Sequence, residues 1–162
     1  MATEPVTIFS KSGDPAKIAS LLRNLEADVK IEGPDENWNK ATIVTGSLWF
    51  KRRLVITHDK NWYSPPNWPI QLIGMQNYFS MFPDGPSKER VLALIPSFGF
   101  SLGTIHDPDF TDSDERLLII SQVAQALDGV LFLPSGLRDA SGRVLLGPGG
   151  YDPQAQWPVS GT

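Results

Sequence analysis

Cysteine is absent from this 162-residue chain, which excludes disulfide bonds, thiol nucleophiles and thiolate metal sites. Long apolar runs are also absent, since none approaches the ~20 residues that a membrane-spanning helix needs. The first five residues, MATEP, carry neither a basic leader nor an apolar stretch. We therefore expect no secretory signal and a cytoplasmic protein.

Basic residues are outnumbered, with 14 Lys and Arg against 18 Asp and Glu and a net charge of −4. Nucleic-acid binders usually carry a basic surplus, and the same surplus draws proteins to anionic lipid, so we expect neither partner. The glycine-rich segment 147–150 lacks the lysine and the following helix of a phosphate-binding loop. No cofactor is expected.

The composition, 41% apolar and 20% charged, is that of an ordinary globular protein. Strand-like segments arrive in runs between helix-like segments, which predicts an α+β fold. We expect one domain over residues 1–147, with a mixed or mainly antiparallel sheet of about five to seven strands packed with three to four helices around a single core. Residues 148–162 offer little to bury, so we expect a mobile or surface-draped tail.

Helix signals are clear at three places. Asp14-Pro15 is a typical helix start, and apolar residues then recur at helical spacing. A second stripe follows the prolines near residue 66, and a third helix after Thr111 is apolar around much of its circumference, which predicts deep burial. The predicted helical core residues are Ile18, Leu21, Leu25, Leu72, Met75, Phe79, Leu117, Ile120 and Val123.

The strongest strand signal covers residues 97–105, where Phe98, Phe100 and Leu102 are predicted to point to one side. Residues 48–57 are also strand-like, but Lys51-Arg52-Arg53 interrupts them. They form either one long edge strand or two shorter strands. Three cations beside Trp49 and Phe50 are typical of single-strand nucleic-acid binders, yet an edge strand protected by charge explains them equally well.

Two His-Asp pairs stand where predicted strands end, His58-Asp59 and His106-Asp107, with Asp109 close to the second pair. If both strand ends lay on one edge of the sheet, these side chains could bind Zn²⁺ or Mn²⁺ or form a proton-transfer dyad. The alternative is that they are ordinary loop openers, in which Asp supplies turn hydrogen bonds. The acidic residues from Asp107 onward fail the calcium-loop pattern and fit a helix N-terminus.

The segment NWYSPPNWP displays aromatic residues on a backbone stiffened by proline. Trp62 and Tyr63, with Pro65 and Pro66, would suit a surface that binds a protein partner, because aromatics with polar tips are enriched at interfaces. The alternative is a lid folded back on the core. Trp68 belongs to the helical stripe and is assigned to the core.

The leading interpretation is a non-catalytic protein-binding or regulatory module, because no nucleophile elbow, phosphate loop or metal motif is found. The alternative is a small metal-dependent or acid-base enzyme that uses His58, Asp59, His106 and Asp107, with Asp109 as a further metal ligand. The identity of the partner and the oligomeric state are left open by the sequence.

Overall fold

The computed structural model describes residues 5–47, 49–60, 67–106 and 115–148. Within these ranges eight strands and four α-helices occur, which confirms the α+β class. The strands are β1 (Thr7–Ser10), β2 (Asp28–Glu32), β3 (Lys40–Ser47), β4 (Phe50–Thr57), β5 (Phe100–His106), β6 (Val130–Leu133), β7 (Gly136–Asp139) and β8 (Val144–Leu146). The helices are α1 (Pro15–Arg23), α2 (Asn67–Ser80), α3 (Pro86–Leu94) and α4 (Glu115–Ala126).

All eight strands belong to one antiparallel sheet in the order β2-β3-β4-β5-β1-β6-β7-β8. The first strand of the chain therefore lies inside the sheet, between β5 and β6. Short 3-10 turns cover Asp35–Asn37 and Ile95–Ser97. None of the helices that the structure describes has the length and apolar character needed to cross a membrane.

Helix α1 forms as its sequence predicts. The Asp14 carboxylate accepts a hydrogen bond from the Ala16 amide at 3.0 Å, and Pro15 occupies the first turn, where its missing N–H costs nothing. Ile18 and Leu22 are fully buried, whereas Leu21 is only partly buried. The helix thus turns a slightly different face to the sheet than the predicted one.

Two hydrophobic clusters occur, and not the single predicted core. The first cluster lies between the sheet and helices α1 and α4, and the second contains residues of α2 and α3. Strand β1 contributes to both, with Ile8 in the first cluster and Phe9 in the second, because successive strand residues point to opposite faces. The sheet is therefore the layer that separates the two clusters.

The sheet has eight strands, whereas five to seven were expected. The additional strand is β7, which the sequence pattern did not indicate. This strand pairs with β6 across a two-residue connection, Pro134-Ser135, and then with β8. A turn after Asp139 leads from β7 into β8. The Asp139 Oδ1 accepts hydrogen bonds from the Ser141 amide at 2.9 Å, the Ser141 hydroxyl at 2.6 Å and the Arg143 amide at 3.0 Å.

The predicted strand over residues 97–105 begins later, at Phe100, because a 3-10 turn ends at Ser97. Because of this turn, Phe98 does not share the in-and-out alternation of the strand that follows. Phe98 lies in the second cluster, while Phe100 and Leu102 lie in the first, so the prediction that all three share one side is wrong.

Residues 50–57 form one strand, β4. Its interpretation as a sheet edge is wrong from Leu54 onward, where it lies between two strands, whereas its cationic half pairs with β3 alone among the described residues. Strand β4 pairs with β3 over its whole length and with β5 from Leu54 to Thr57.

Helix α4 is less enclosed than its composition predicts. Ile120 and Val123 are fully buried, but Leu118 is exposed on the outer side.

We expect Ile120→Ala to lower the free energy of unfolding by about 2–5 kcal/mol, because it leaves a cavity in the first cluster. Leu118→Ala, on the same helix but facing solvent, should change it by no more than about 0.5 kcal/mol. Urea denaturation of both variants measures the difference. Equal losses would contradict the described orientation of α4.

Candidate functional site

His58 lies directly after β4 and is buried between two aromatic rings. Its imidazole centroid is 5.7 Å from that of Trp38 and 5.3 Å from that of Phe100. Its Nδ1 is 3.2 Å from the Trp38 carbonyl oxygen, and its backbone amide donates to the Asn39 carbonyl at 2.8 Å. The ring is therefore held from several sides as part of the core.

Trp38 connects this histidine to helix α1. The indole is completely buried, and its Nε1 donates a hydrogen bond to the Pro15 carbonyl at 2.8 Å. That carbonyl belongs to the first turn of α1. The start of α1, the Trp38 indole and the His58 imidazole thus form one packed unit at this end of the sheet.

The pKa of His58 is lowered, first because burial penalises the charged imidazole. The nearby Lys60 cation lowers it further, whereas the hydrogen bond to the Trp38 carbonyl and the Asp59 carboxylate act in the opposite direction. Burial is the largest of these effects, so the neutral form is favoured. A neutral, enclosed imidazole suits a structural role.

The two histidines are not brought together. Leu54 of β4 pairs with His106 of β5, so His106 lies four residues back along the sheet from His58. At ~3.3 Å per residue this is roughly 13 Å, whereas imidazoles that share one metal ion each lie ~2 Å from it. The condition for a shared site, that both strand ends lie on one edge of the sheet, is not met, because the two strands run antiparallel.

The carboxylates of the proposed pairs do not supply a metal site in the part of the chain that the structure covers. Asp59 follows His58 and is exposed, while Asp107 and Asp109 lie outside the described residues. Among residues 5–47, 49–60, 67–106 and 115–148, no group of three or more His, Asp or Glu side chains could hold a metal ion.

An open depression of ≈ 500 Å³ lies on the outer face of β2 and β3. Its lining carries two carboxylates, Asp28 and Glu32, and two ammonium groups, Lys30 and Lys40, and the Lys40 ammonium lies 3.9 Å from the Glu32 carboxylate. Exposed ion pairs of this kind contribute little binding energy. The depression shows no convergent set of polar groups that would define a ligand.

The tip of the β3–β4 hairpin projects past the last paired residue of β5. We call residues 49–53 the hairpin arm. Within the described residues, β4 pairs on both sides only from Leu54 onward, so Phe50 to Arg53 pair with β3 alone. Gly46 makes the turn possible: its φ is +97°, and a Cβ there would lie 2.0 Å from the Phe50 carbonyl oxygen.

The hairpin arm exposes its aromatic residues. The exposed fraction of the residue is 88% for Trp49 and 74% for Phe50. Lys51 is exposed as well, and the base of the arm is fixed by the buried Arg116, whose Nη1 donates to the Arg53 carbonyl at 3.1 Å. A rigid base thus presents two large apolar rings and a cation to solvent.

The aromatic-proline loop with Trp62, Tyr63, Pro65 and Pro66 lies outside the described residues. The chain on either side of it is anchored. Before the loop, the Lys60 ammonium donates to the Asn37 carbonyl at 2.8 Å. After it, Trp68 donates from Nε1 to the Phe98 carbonyl at 3.1 Å, and its ring centroid lies 6.3 Å from that of Phe9. The assignment of Trp68 to the core agrees with these contacts.

Sequence reasoning missed two buried residues that shape this region, Trp38 and Arg116. Trp38 stands in a polar segment with no periodic pattern, and Arg116 is a charged residue, a type that is almost never fully buried unless it is paired. Both are buried through contacts with segments far away in the chain, which local patterns do not encode.

Lowering the pH from about 7.5 to about 5 should reduce the free energy of unfolding through His58. The pKa of this histidine is about 6.5 in the unfolded chain and lower in the folded protein, so the unfolded state takes up the proton first. The stabilisation is complete above about pH 6.5 and is lost as the pH falls toward the folded-state pKa. Urea denaturation at each pH measures it.

His58→Gln should flatten this pH dependence, because it removes the buried imidazole that titrates. A pH dependence that persists unchanged in His58→Gln would contradict the structural role of the buried imidazole.

No protein-family model, curated protein or solved structure matches this chain. The function is therefore inferred from the side chains themselves.

Proposed function

We propose that this chain is a non-catalytic protein-binding or regulatory module whose partner is another protein. The observation that carries the proposal is the exposure of Trp49 and Phe50 on the hairpin arm. Two large aromatic rings at a projecting tip keep apolar surface in water that neither hydrophobic cluster covers.

The energetic reason is the area of these rings. An aromatic side chain buries on the order of 150–250 Å², and covering apolar surface is worth roughly 25 cal/mol per Å². Trp is also among the residues most enriched at binding hot spots, where a few side chains contribute most of the affinity. A partner that encloses Trp49 and Phe50 would therefore gain several kcal/mol from the tip alone.

The aromatic-proline loop is a second part of the proposal and remains a sequence-based prediction. Proline reduces the backbone entropy lost on binding. Trp62 and Tyr63 beside Pro65-Pro66 would therefore bind a partner with a smaller entropic penalty. The anchored residues on both sides, Lys60 and Trp68, support a loop with fixed ends.

A protein partner is also favoured over a nucleic acid by charge. The net charge of −4 opposes association with a polyanion. The alternative function, a metal-dependent or acid-base enzyme, has no supporting geometry in the described residues, because His58 and His106 are far apart. A cytoplasmic location without a cofactor remains part of the proposal.

The proposal predicts that one protein from the native host is retained by the wild-type chain and depends on the arm. The partner would be identified by affinity capture and mass spectrometry, then purified and titrated by calorimetry. We expect Trp49→Ala with Phe50→Ala to weaken binding by ~2 kcal/mol or more, about 30-fold in Kd, because the rings are hot-spot residues. Trp62→Ala tests the loop in the same titration.

The matched control is Leu118→Ala, which removes an exposed apolar side chain from α4. It should leave both the affinity and the melting temperature unchanged. Equal affinities of the wild type and of the double arm variant would show that the hairpin arm does not bind the partner. Unfolding by Trp62→Ala would show that the loop is a core lid.

A further inference from the structure

The chain contains two Asp-Gly bonds, Asp84-Gly85 and Asp128-Gly129. Aspartate isomerises readily in this dipeptide, because glycine has no Cβ that would shield its amide nitrogen from the preceding carboxyl group. The two bonds share the same intrinsic chemistry. The structure around each bond therefore decides whether it reacts.

The reaction takes place between the aspartate side chain and the backbone. The glycine amide nitrogen loses its proton and attacks the aspartate Cγ, so that a C–N bond forms, a Cγ–O bond breaks and water leaves. The product is a five-membered succinimide ring. Water then adds at the main-chain carbonyl, which breaks the original peptide bond and leaves the chain connected through Cγ as isoaspartate. One water is lost and one is gained, so the mass is unchanged and no oxidant or cofactor is consumed.

The Asp84-Gly85 bond is open to this reaction. The Asp84 side chain is 98% exposed, and a Cβ placed on Gly85 would meet nothing within 4 Å apart from its chain neighbours. Among the described residues, none accepts a hydrogen bond from the Gly85 amide. The attacking nitrogen, the carboxyl group and the incoming water therefore all have room.

The Asp128-Gly129 bond is closed. Gly129 is buried, and its amide donates a hydrogen bond to the Ala124 carbonyl at 2.8 Å. A Cβ at Gly129 would lie 2.6 Å from the Phe9 carbonyl oxygen, so β1 packs directly against this bond. The hydrogen bond must break and this packing must open before a ring can form.

The backbone itself requires glycine after Asp84. The φ of Gly85 is +154°, a value that residues with a side chain rarely adopt. Gly85 stands directly before α3, and its carbonyl accepts a hydrogen bond from the Glu89 amide at 3.1 Å. The connection between α2 and α3 thus brings the reactive dipeptide with it, and isomerisation would add one methylene group to the main chain at the start of α3.

Lys88 counteracts the reaction. Its ammonium lies 2.8 Å from the Asp84 Oδ1, one helical turn away. The hydrogen bond from Lys88 lowers the pKa of Asp84, so the carboxyl group stays ionised. An ionised carboxylate resists attack by a nucleophile, whereas the protonated group can release water. Because the pair is exposed and weak, it slows the reaction without preventing it.

We propose that Asp84-Gly85 is a site of spontaneous modification, at which aspartate converts to isoaspartate in the folded protein, that Asp128-Gly129 is protected, and that Lys88 slows the conversion. The modified chain would be a substrate for a protein carboxyl methyltransferase that methylates isoaspartate and not aspartate. This site goes beyond the proposed function and does not depend on it, because it lies between α2 and α3, whereas the hairpin arm lies between β3 and β4.

The test is to age the purified full chain at physiological pH and temperature and to label isoaspartate with such a methyltransferase and radioactive S-adenosylmethionine. Trypsin separates the two bonds, since they fall on peptides 61–88 and 117–138. We expect label on peptide 61–88 that increases with time, and no increase on peptide 117–138. Equal label on both peptides, or none on peptide 61–88, would overturn the proposal.

The unfolded chain is the matched control. After ageing in guanidinium chloride and removal of the denaturant, both peptides should carry label at similar levels, because the packing around Gly129 is lost. A peptide 117–138 that stays unlabelled even then would contradict its protection by the fold.

Two variants test the residues themselves. Asp84→Glu should abolish the label on the first peptide, because its longer side chain must close a six-membered ring, and the melting temperature should not change, because Asp84 is exposed. Lys88→Gln should raise the rate of labelling at the same pH. Label that persists in Asp84→Glu would overturn the assignment of the site, and an unchanged rate in Lys88→Gln would overturn the role of Lys88.

Discussion

The fold depends on the insertion of β1 between β5 and β6. This strand has only four residues, yet it pairs with β5 through Thr7 to Ser10 and with β6 through Thr7 to Phe9. The Thr104 hydroxyl adds a bond to the Val6 carbonyl at 2.6 Å. Because β2-β3-β4-β5 lie on one side and β6-β7-β8 on the other, β1 alone makes the two halves one sheet.

The two faces of that sheet are used differently. The first cluster extends beneath strands from β3 to β6, where Ile43, Leu54, Leu102 and Leu131 meet helices α1 and α4. The second cluster is confined to the half that contains β1, β6, β7 and β8. On that face the half with β2 and β3 carries Lys30 and Thr42, which are paired in register. Most of the buried apolar residues therefore lie on the face of the sheet that packs against α1 and α4.

The sequence predicts those elements whose signals are local. Helix α1 has its cap and its proline, and the inner stripe of α2 has strict helical spacing, so both are found where expected. Strand β7 was missed because Leu137 is its one large apolar residue between two turn signals. The two His-Asp pairs could not be placed, because the relative direction of β4 and β5 is decided by pairing across 50 residues. Long-range contacts also bury Trp38.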